Sequence, residues 1–212
     1  MIFDATSYSQ KPITVMQPFT LVTSNECTRG DLSKVTDDLT CLDVEGMSFD
    51  LIVALLARFR LEYPGVRCGL YGFLPQTTYW RVQRVLPNYE KEHRDWSEIN
   101  QAQTGLSHLV DVVFPSLYTQ YPDQNGWARY AVENIIEAKR YNKPVYPFLW
   151  PQYHDSSELK LQYIPQDYFK MQIRLCEALC DGVVIWGGWD FTNDKQTAWD
   201  NPAWYDTMER LK

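Results

Sequence analysis

Short apolar runs alternate with stretches that keep helical spacing, and this alternation constrains the fold more than any other feature. The runs cover residues 39–45, 66–73, 109–118, 144–150 and 182–186, with weaker ones at 13–22 and 1–8. They read as buried parallel strands, which tend to be continuously apolar because both faces are covered. Between them, Phe49, Ile52, Val53, Leu56 and Phe59 keep a helical period. So do Ala128, Ala131, Val132, Ile135 and Ile136, and so do Phe169, Ile173, Cys176, Leu179 and Cys180. Each of these helices leads into a strand, and repeated strand-helix alternation gives a parallel sheet with helices outside it.

An open doubly wound sheet and a closed barrel both satisfy that pattern. No Gly-rich phosphate loop or Walker motif follows the early strands, since Glu45-Gly46-Met47 matches neither. The polar and aromatic features instead gather at the C-terminal ends of the runs: Asp43 and Glu45, then Tyr71, Tyr118, Trp150 with Tyr153, and Trp186 with Trp189 and Asp190. In a barrel these ends meet at one mouth, where such folds place their active sites. The expectation is an α/β chain forming a TIM-like (β/α) barrel with parallel strands and outer helices. It must be compact or incomplete, because the chain has 212 residues and a full eight-fold barrel takes about 250. With no linker, repeat or low-complexity segment, residues 1–212 read as a single domain. The polar stretch 74–107, which carries Tyr79, Tyr89 and Trp96, is expected to be a loop and helix walling the cleft. The tail from 192 to 212 is expected to add a last helix.

Composition removes several function classes. A net charge of −7 argues against nucleic acid, which wants a basic face. Aromatics reach 15% of the residues; most such rings pack cores, but a cleft lined with flat rings suits stacking on sugars. The five cysteines fit no zinc spacing and are expected as reduced thiols. No metal cluster and no cofactor motif appears, so no cofactor is expected. No apolar run is long enough to span a membrane, and no signal peptide is visible at the start. If Met1 is the natural start, a soluble cytoplasmic protein is expected.

The chemistry centres on Asp43 and Glu45. Side chains two apart on a strand share a face, with Val44 turned the other way. Two carboxylates held so close repel, and one keeps its proton nearer neutral pH, as a general acid requires. Glycoside hydrolysis is the reaction most associated with such pairs. Neighbours on one strand do not straddle a scissile bond, however. This favours the substrate-assisted scheme, in which an N-acetyl group on the sugar is the nucleophile, Glu45 protonates the leaving oxygen and Asp43 tunes the site. A tyrosine such as Tyr118 could hold the acetamido group. Taken alone, an Asp-x-Glu triplet more often marks a solvated strand end. His154, beside Tyr153, reads as a surface histidine.

In series, the motifs resemble the hyaluronidase family of glycoside hydrolases. Leu42-Asp43-Val44-Glu45 is similar to that family's strand ending in Asp-x-Glu, and Gly69-Leu70-Tyr71-Gly72-Phe73 to its Gly-Tyr-Tyr-Gly-Phe strand. Phe114-Pro115-Ser116-Leu117-Tyr118 looks like its Phe-Pro-Ser-Ile-Tyr strand. Pro144-Val145-Tyr146-Pro147, running on to Gln152-Tyr153, and Gly182-Val183-Val184-Ile185-Trp186-Gly187 resemble the two that follow. The resemblance implies Glu45 as acid/base, Asp43 as helper carboxylate and Tyr118 as the N-acetyl holder. It also implies Tyr153 as a cleft tyrosine and Trp186 as a tryptophan under the sugar. Together with Tyr71, Trp150, Trp189 and Asp190, these line the expected glycan site. The chain departs from the animal enzymes where Gly46-Met47-Ser48-Phe49 replaces their Glu-Trp-Arg-Pro, in its short region before Asp43, and in lacking counterparts of their disulfides. The expectation is a divergent relative acting on an N-acetylhexosamine-containing glycan. A non-catalytic glycan-binding barrel and a lysozyme-like muramidase are the alternatives.

Overall fold

The computed structural model describes residues 39–83 and 88–186 with their side chains, and the backbone alone of 2–4, 14–16, 22–23, 26–27, 189–190 and 195–196. Strands β1 (Ile2–Asp4), β2 (Thr14–Met16), β3 (Val22–Thr23) and β4 (Glu26–Cys27) come first. Then follow β5 (Leu39–Leu42), α1 (Phe49–Glu62), β6 (Arg67–Leu70), α2 (Tyr89–Ala102), α3 (Gln124–Lys139), β7 (Phe148–Leu149), α4 (Gln166–Leu179) and β8 (Val183–Ile185). Short strands β9 (Trp189–Asp190) and β10 (Lys195–Gln196) pair antiparallel, as do β3 and β4.

Seven parallel segments stand side by side in an arc. β2 pairs with β5, and β5 with β6. Tyr71 then bridges to Phe114. Residues 112–119 bridge onward through Val113 to Val145 and Ser116 to Phe148. β7 pairs with β8, and β8 with β1. The arc is TIM-like in its parallel order. It is not a closed barrel, for among the described residues its two edges, β1 and β2, do not pair.

The strands are shorter than the apolar runs predict, and residues 112–119 form bridges rather than a strand. Proline explains part of this. Pro115, Pro144 and Pro147 have no N–H to give a ladder, so the hydrogen bonds skip them: Val113 donates to Pro144, Tyr146 to Val113, Phe148 to Pro115, and Leu117 to Phe148. Gly69 is also dictated by this neighbourhood, since a Cβ there would strike the Val112 carbonyl and the Phe114 ring.

The helices start where the sequence provides caps. The Ser48 hydroxyl accepts from the Leu51 N–H to open α1, and the Asp123 carboxylate accepts from the Gly126 N–H to open α3. α1 buries Ile52, Leu55, Leu56 and Phe59, while α4 buries Tyr168, Phe169, Ile173 and Cys176. Cys41, Cys68, Cys176 and Cys180 are free thiols. The 74–107 stretch is indeed loop and helix: a 3-10 turn at Tyr79–Val82, then α2. The expected terminal helix lies outside the described residues.

Strand parity sorts the core into an inner and an outer layer. Leu39, Cys41, Val112, Phe114, Tyr118, Tyr146, Phe148, Trp150 and Val184 pack together on the inside. Their alternates Leu42, Val44, Leu70, Val113 and Val145 pack outward against α1, and Leu117, Leu149, Val183 and Ile185 against α3 and α4. Successive side chains of a strand point to opposite faces, and the alternation survives even where the ladder is broken.

Candidate active site

The strand-end loop after β5 holds the two carboxylates. β5 ends at Leu42, so Asp43 and Glu45 stand beyond the ladder, one step past where the sequence places them. Their facing is kept nonetheless, because Val44 is buried in the outer layer. The Val44 carbonyl accepts from the Met47 N–H at 3.0 Å, closing a four-residue turn. Gly46, third in that turn, has a φ of 76°, a value only glycine takes without strain. The Asp43 Oδ1 accepts from the Glu45 backbone N–H at 3.3 Å, a local side-chain bond typical of aspartate in turns. Asp43 is buried, whereas the Glu45 side chain reaches solvent.

Partial burial of its carboxyl raises the Glu45 pKa above the ordinary glutamate value. The nearby negative charges of Asp43 and then Asp155 add to the rise. Both effects disfavour the carboxylate and hold the proton.

Facing Asp43 is a cup of rings. Tyr118 lies 5.8 Å from Tyr71, 5.4 Å edge-on from Trp150 and 6.0 Å from the His154 ring. His154 also lies 5.4 Å from Tyr79 and 6.0 Å from Trp150. Trp186 packs at the edge of the same cluster. Tyr118 and Trp150 are nearly covered, at 6% and 3% exposure, so they form the floor. Tyr71, Tyr79, His154 and Trp186 are half-buried and form the walls. The Trp150 Nε1 donates to Gln152 Oε1 at 3.0 Å, which fixes its indole.

The cup is also wired. The Ser116 hydroxyl bonds the Tyr71 hydroxyl at 2.8 Å and the Tyr79 hydroxyl by a shorter contact. Burial pushes the Tyr71, Tyr79 and Tyr118 phenols well above their ordinary pKa, so all three keep their protons. In the same 3-10 turn as Tyr79, the Arg81 guanidinium stacks 3.4 Å over the Trp96 ring and bonds Thr78 Oγ1 at 2.7 Å. Burial lowers the His154 pKa against the opposing charge of Asp155.

The structure therefore brings together Asp43, Glu45, Tyr71, Tyr118, Trp150 and Trp186 of the residues singled out from sequence. It does not bring in Tyr153. That ring is 4% exposed and packs in the outer layer against α3 and α4, because it has the parity of Val145 and Leu149. His154, expected at the surface, has the parity of Trp150 and takes the inward place. The side chains of Trp189 and Asp190 lie outside the described residues. Sequence reasoning missed Ser116 and Asp155 as site residues and undervalued His154. Counting by twos from Phe114 and from Trp150 reaches Ser116, Tyr118, Gln152 and His154, and was the available signal.

Among the described residues no group of three or more His, Cys, Asp or Glu could hold a metal ion. Nor is any helix there long and apolar enough to cross a membrane.

No family model matches the chain, and no curated protein matches it by sequence. Solved structures do. The monoclinic crystal structure of bee venom hyaluronidase superposes with a TM-score of 0.57 at 13% identity, over 85% of this chain and 72% of that one. Bee venom hyaluronidase in complex with a hyaluronic acid tetramer gives a TM-score of 0.53 at 16% identity, over 85% and 70%. At such identities the likeness is one of fold alone, a TIM-like architecture.

Proposed function

We propose that this protein is a glycoside hydrolase acting on an N-acetylhexosamine-containing glycan by substrate-assisted hydrolysis with retention. One observation carries the reading: Glu45 follows the buried Asp43 on the inward parity that also carries Tyr118 and Trp150, with its pKa raised by partial burial and by Asp43. A solvent-reaching carboxyl whose pKa is raised holds its proton to higher pH than an ordinary glutamate, which is the direction a general acid needs. The likeness to a hyaluronidase fold that holds a hyaluronic acid tetramer supports a glycan as its partner.

In the first step the acetamido carbonyl oxygen of the substrate attacks the anomeric carbon. The glycosidic C–O bond breaks and Glu45 gives its proton to the leaving oxygen. Asp43, two residues back, orients the acetamido group and sustains the proton on Glu45. Tyr118 steadies the acetamido oxygen by a hydrogen bond. In the second step water attacks the anomeric carbon of the cyclic oxazolinium, and the Glu45 carboxylate takes the water's proton. Two inversions leave the configuration retained.

Glu45→Gln tests this reading. The amide keeps the shape and cannot donate the acid proton, so turnover should fall by about a hundred-fold or more, with glycan binding kept. Reducing-end release by Glu45→Gln equal to that of the parent protein would remove Glu45 from the reaction.

A second reading is a glycan-binding barrel without turnover, favoured by edges β1 and β2, which do not pair with each other among the described residues. It predicts binding by the parent protein with no reducing ends released from N-acetylhexosamine glycans.

A further inference from the structure

His154 has the inward parity of Trp150, and the proposed mechanism leaves its ring unused. That ring stands among three rings of the cup, 5.4 Å from Tyr79 and 6.0 Å from both Tyr118 and Trp150. Its side chain keeps 25% exposure, so solvent reaches it. An imidazole has two polar atoms, and here only one is occupied. The Ser156 hydroxyl bonds Nδ1 at 2.8 Å, and the Ser156 backbone N–H donates to Nδ1 at 3.2 Å. The Asp155 Oδ1 stands 3.0 Å from the same nitrogen. Nε2 has no hydrogen-bond partner among the described residues.

A backbone N–H only donates, so Nδ1 accepts, and the neutral ring carries its proton on Nε2. Gln120 supports this arrangement. Its side-chain Nε2 donates to Ser156 Oγ at 2.8 Å, which leaves the hydroxyl proton to point at Nδ1. Asp155 becomes the partner of Nδ1 only when the ring takes a second proton, and Nε2 keeps its hydrogen in that form too. In both forms, then, His154 holds an N–H without a protein acceptor beside the floor of the cup. A sugar resting on Trp150 offers that floor a face and offers hydroxyl oxygens at its edge. Aromatic rings match the face; an N–H matches the oxygens.

We propose that His154 is a glycan-binding residue, donating from Nε2–H to a hydroxyl oxygen of the sugar that rests on Trp150. Ser156 is its positioning residue, holding Nδ1 and with it the tautomer that presents Nε2–H. The proposal rests on the reading of the cup as a glycan site given above, and it does not involve Glu45.

Long-range hydrogen–nitrogen NMR of the histidine rings tests it, in the parent protein with and without a β-1,4-linked tetramer of N-acetylglucosamine. The free protein should show the His154 proton on Nε2, and the bound tetramer should shift the Nε2 resonance more than that of Nδ1. In Ser156→Ala the hydroxyl donor to Nδ1 is gone and Asp155 remains, so the tautomer with the proton on Nδ1 should gain. By calorimetry, His154→Phe keeps a ring, removes the donor and should weaken tetramer binding about fivefold or more, the worth of one hydrogen bond. His154→Gln, whose amide restores an N–H, should recover most of that loss. Should His154→Phe fail to fold, the NMR of the parent needs no variant and carries the test. A proton on Nδ1 in the parent, or an Nε2 resonance that the bound tetramer leaves in place, overturns the proposal whatever the variants do, and leaves the cup and Glu45 standing. An unchanged tautomer in Ser156→Ala overturns the positioning role of Ser156. A parent that does not bind the tetramer overturns the proposal together with the N-acetylhexosamine reading.

Discussion

The inner and outer layers of this arc are built from the same strands and carry different chemistry. Outward-facing positions are almost wholly aliphatic or deeply packed: Leu42, Val44, Val113, Leu149 and Ile185 meet helices. Inward-facing positions hold Asp43, Tyr71, Ser116, Tyr118, Trp150 and His154, with the Tyr71 and Ser116 hydroxyls bonded at 2.8 Å and the Tyr118 ring 5.4 Å from Trp150 and 6.0 Å from His154. A single step along the chain moves a side chain from one world to the other, as Tyr153 and His154 show. Stability should therefore reside on one parity and glycan recognition on the other.

The largest effect expected on the outer side is from Trp127→Ala. That indole is 1% exposed and donates from Nε1 to the Leu117 carbonyl at 3.0 Å. Truncation should cost about 3–5 kcal/mol of stability, read by chemical denaturation, and a loss below about 1 kcal/mol would break the division. On the inner side, Trp150→Ala should weaken glycan binding on the order of tenfold, about 1.4 kcal/mol, because it removes the floor of the cup. Unchanged affinity by calorimetry would place the sugar elsewhere. Tyr153→Phe sharpens the contrast: it should leave affinity and turnover within about twofold, well under 1.4 kcal/mol, whereas Tyr118→Phe lowers both.

The smallest effect concerns stability and pH. The folded state raises the Glu45 pKa, so it favours the protonated form. That contribution is present at low pH and is lost as pH rises through the folded pKa. Gln cannot ionise, so Glu45→Gln should melt slightly higher than the parent at neutral pH and at the same temperature in acid. Thermal melts across pH check the sign. Activity should fall over the same rise in pH, as the acid loses its proton.

Much of this was legible in the sequence. The alternation of apolar runs and helical spacing gave the parallel order, and clustering of polar residues at run ends gave the mouth. Strand lengths were not legible, because prolines at 115, 144 and 147 delete ladder donors without changing which way side chains face. The carboxylate pair was found, yet the turn that carries it was read as strand, since Gly46 signals the turn only once its positive φ is seen. Tyr153 was drawn inward by motif likeness, against the parity of Val145 and Leu149. Asp155 acts on Glu45 across space from a distant loop, and no local pattern announces that.

The central claim is that the fold raises the Glu45 pKa by partly covering its carboxyl and placing it beside Asp43. Carbon-detected NMR titration of the Glu45 carboxyl measures this directly, in the parent protein and in Asp43→Asn. The account predicts a midpoint above the ordinary glutamate range in the parent and a lower one in Asp43→Asn. An ordinary midpoint in the parent, or one that Asp43→Asn leaves in place, would contradict it.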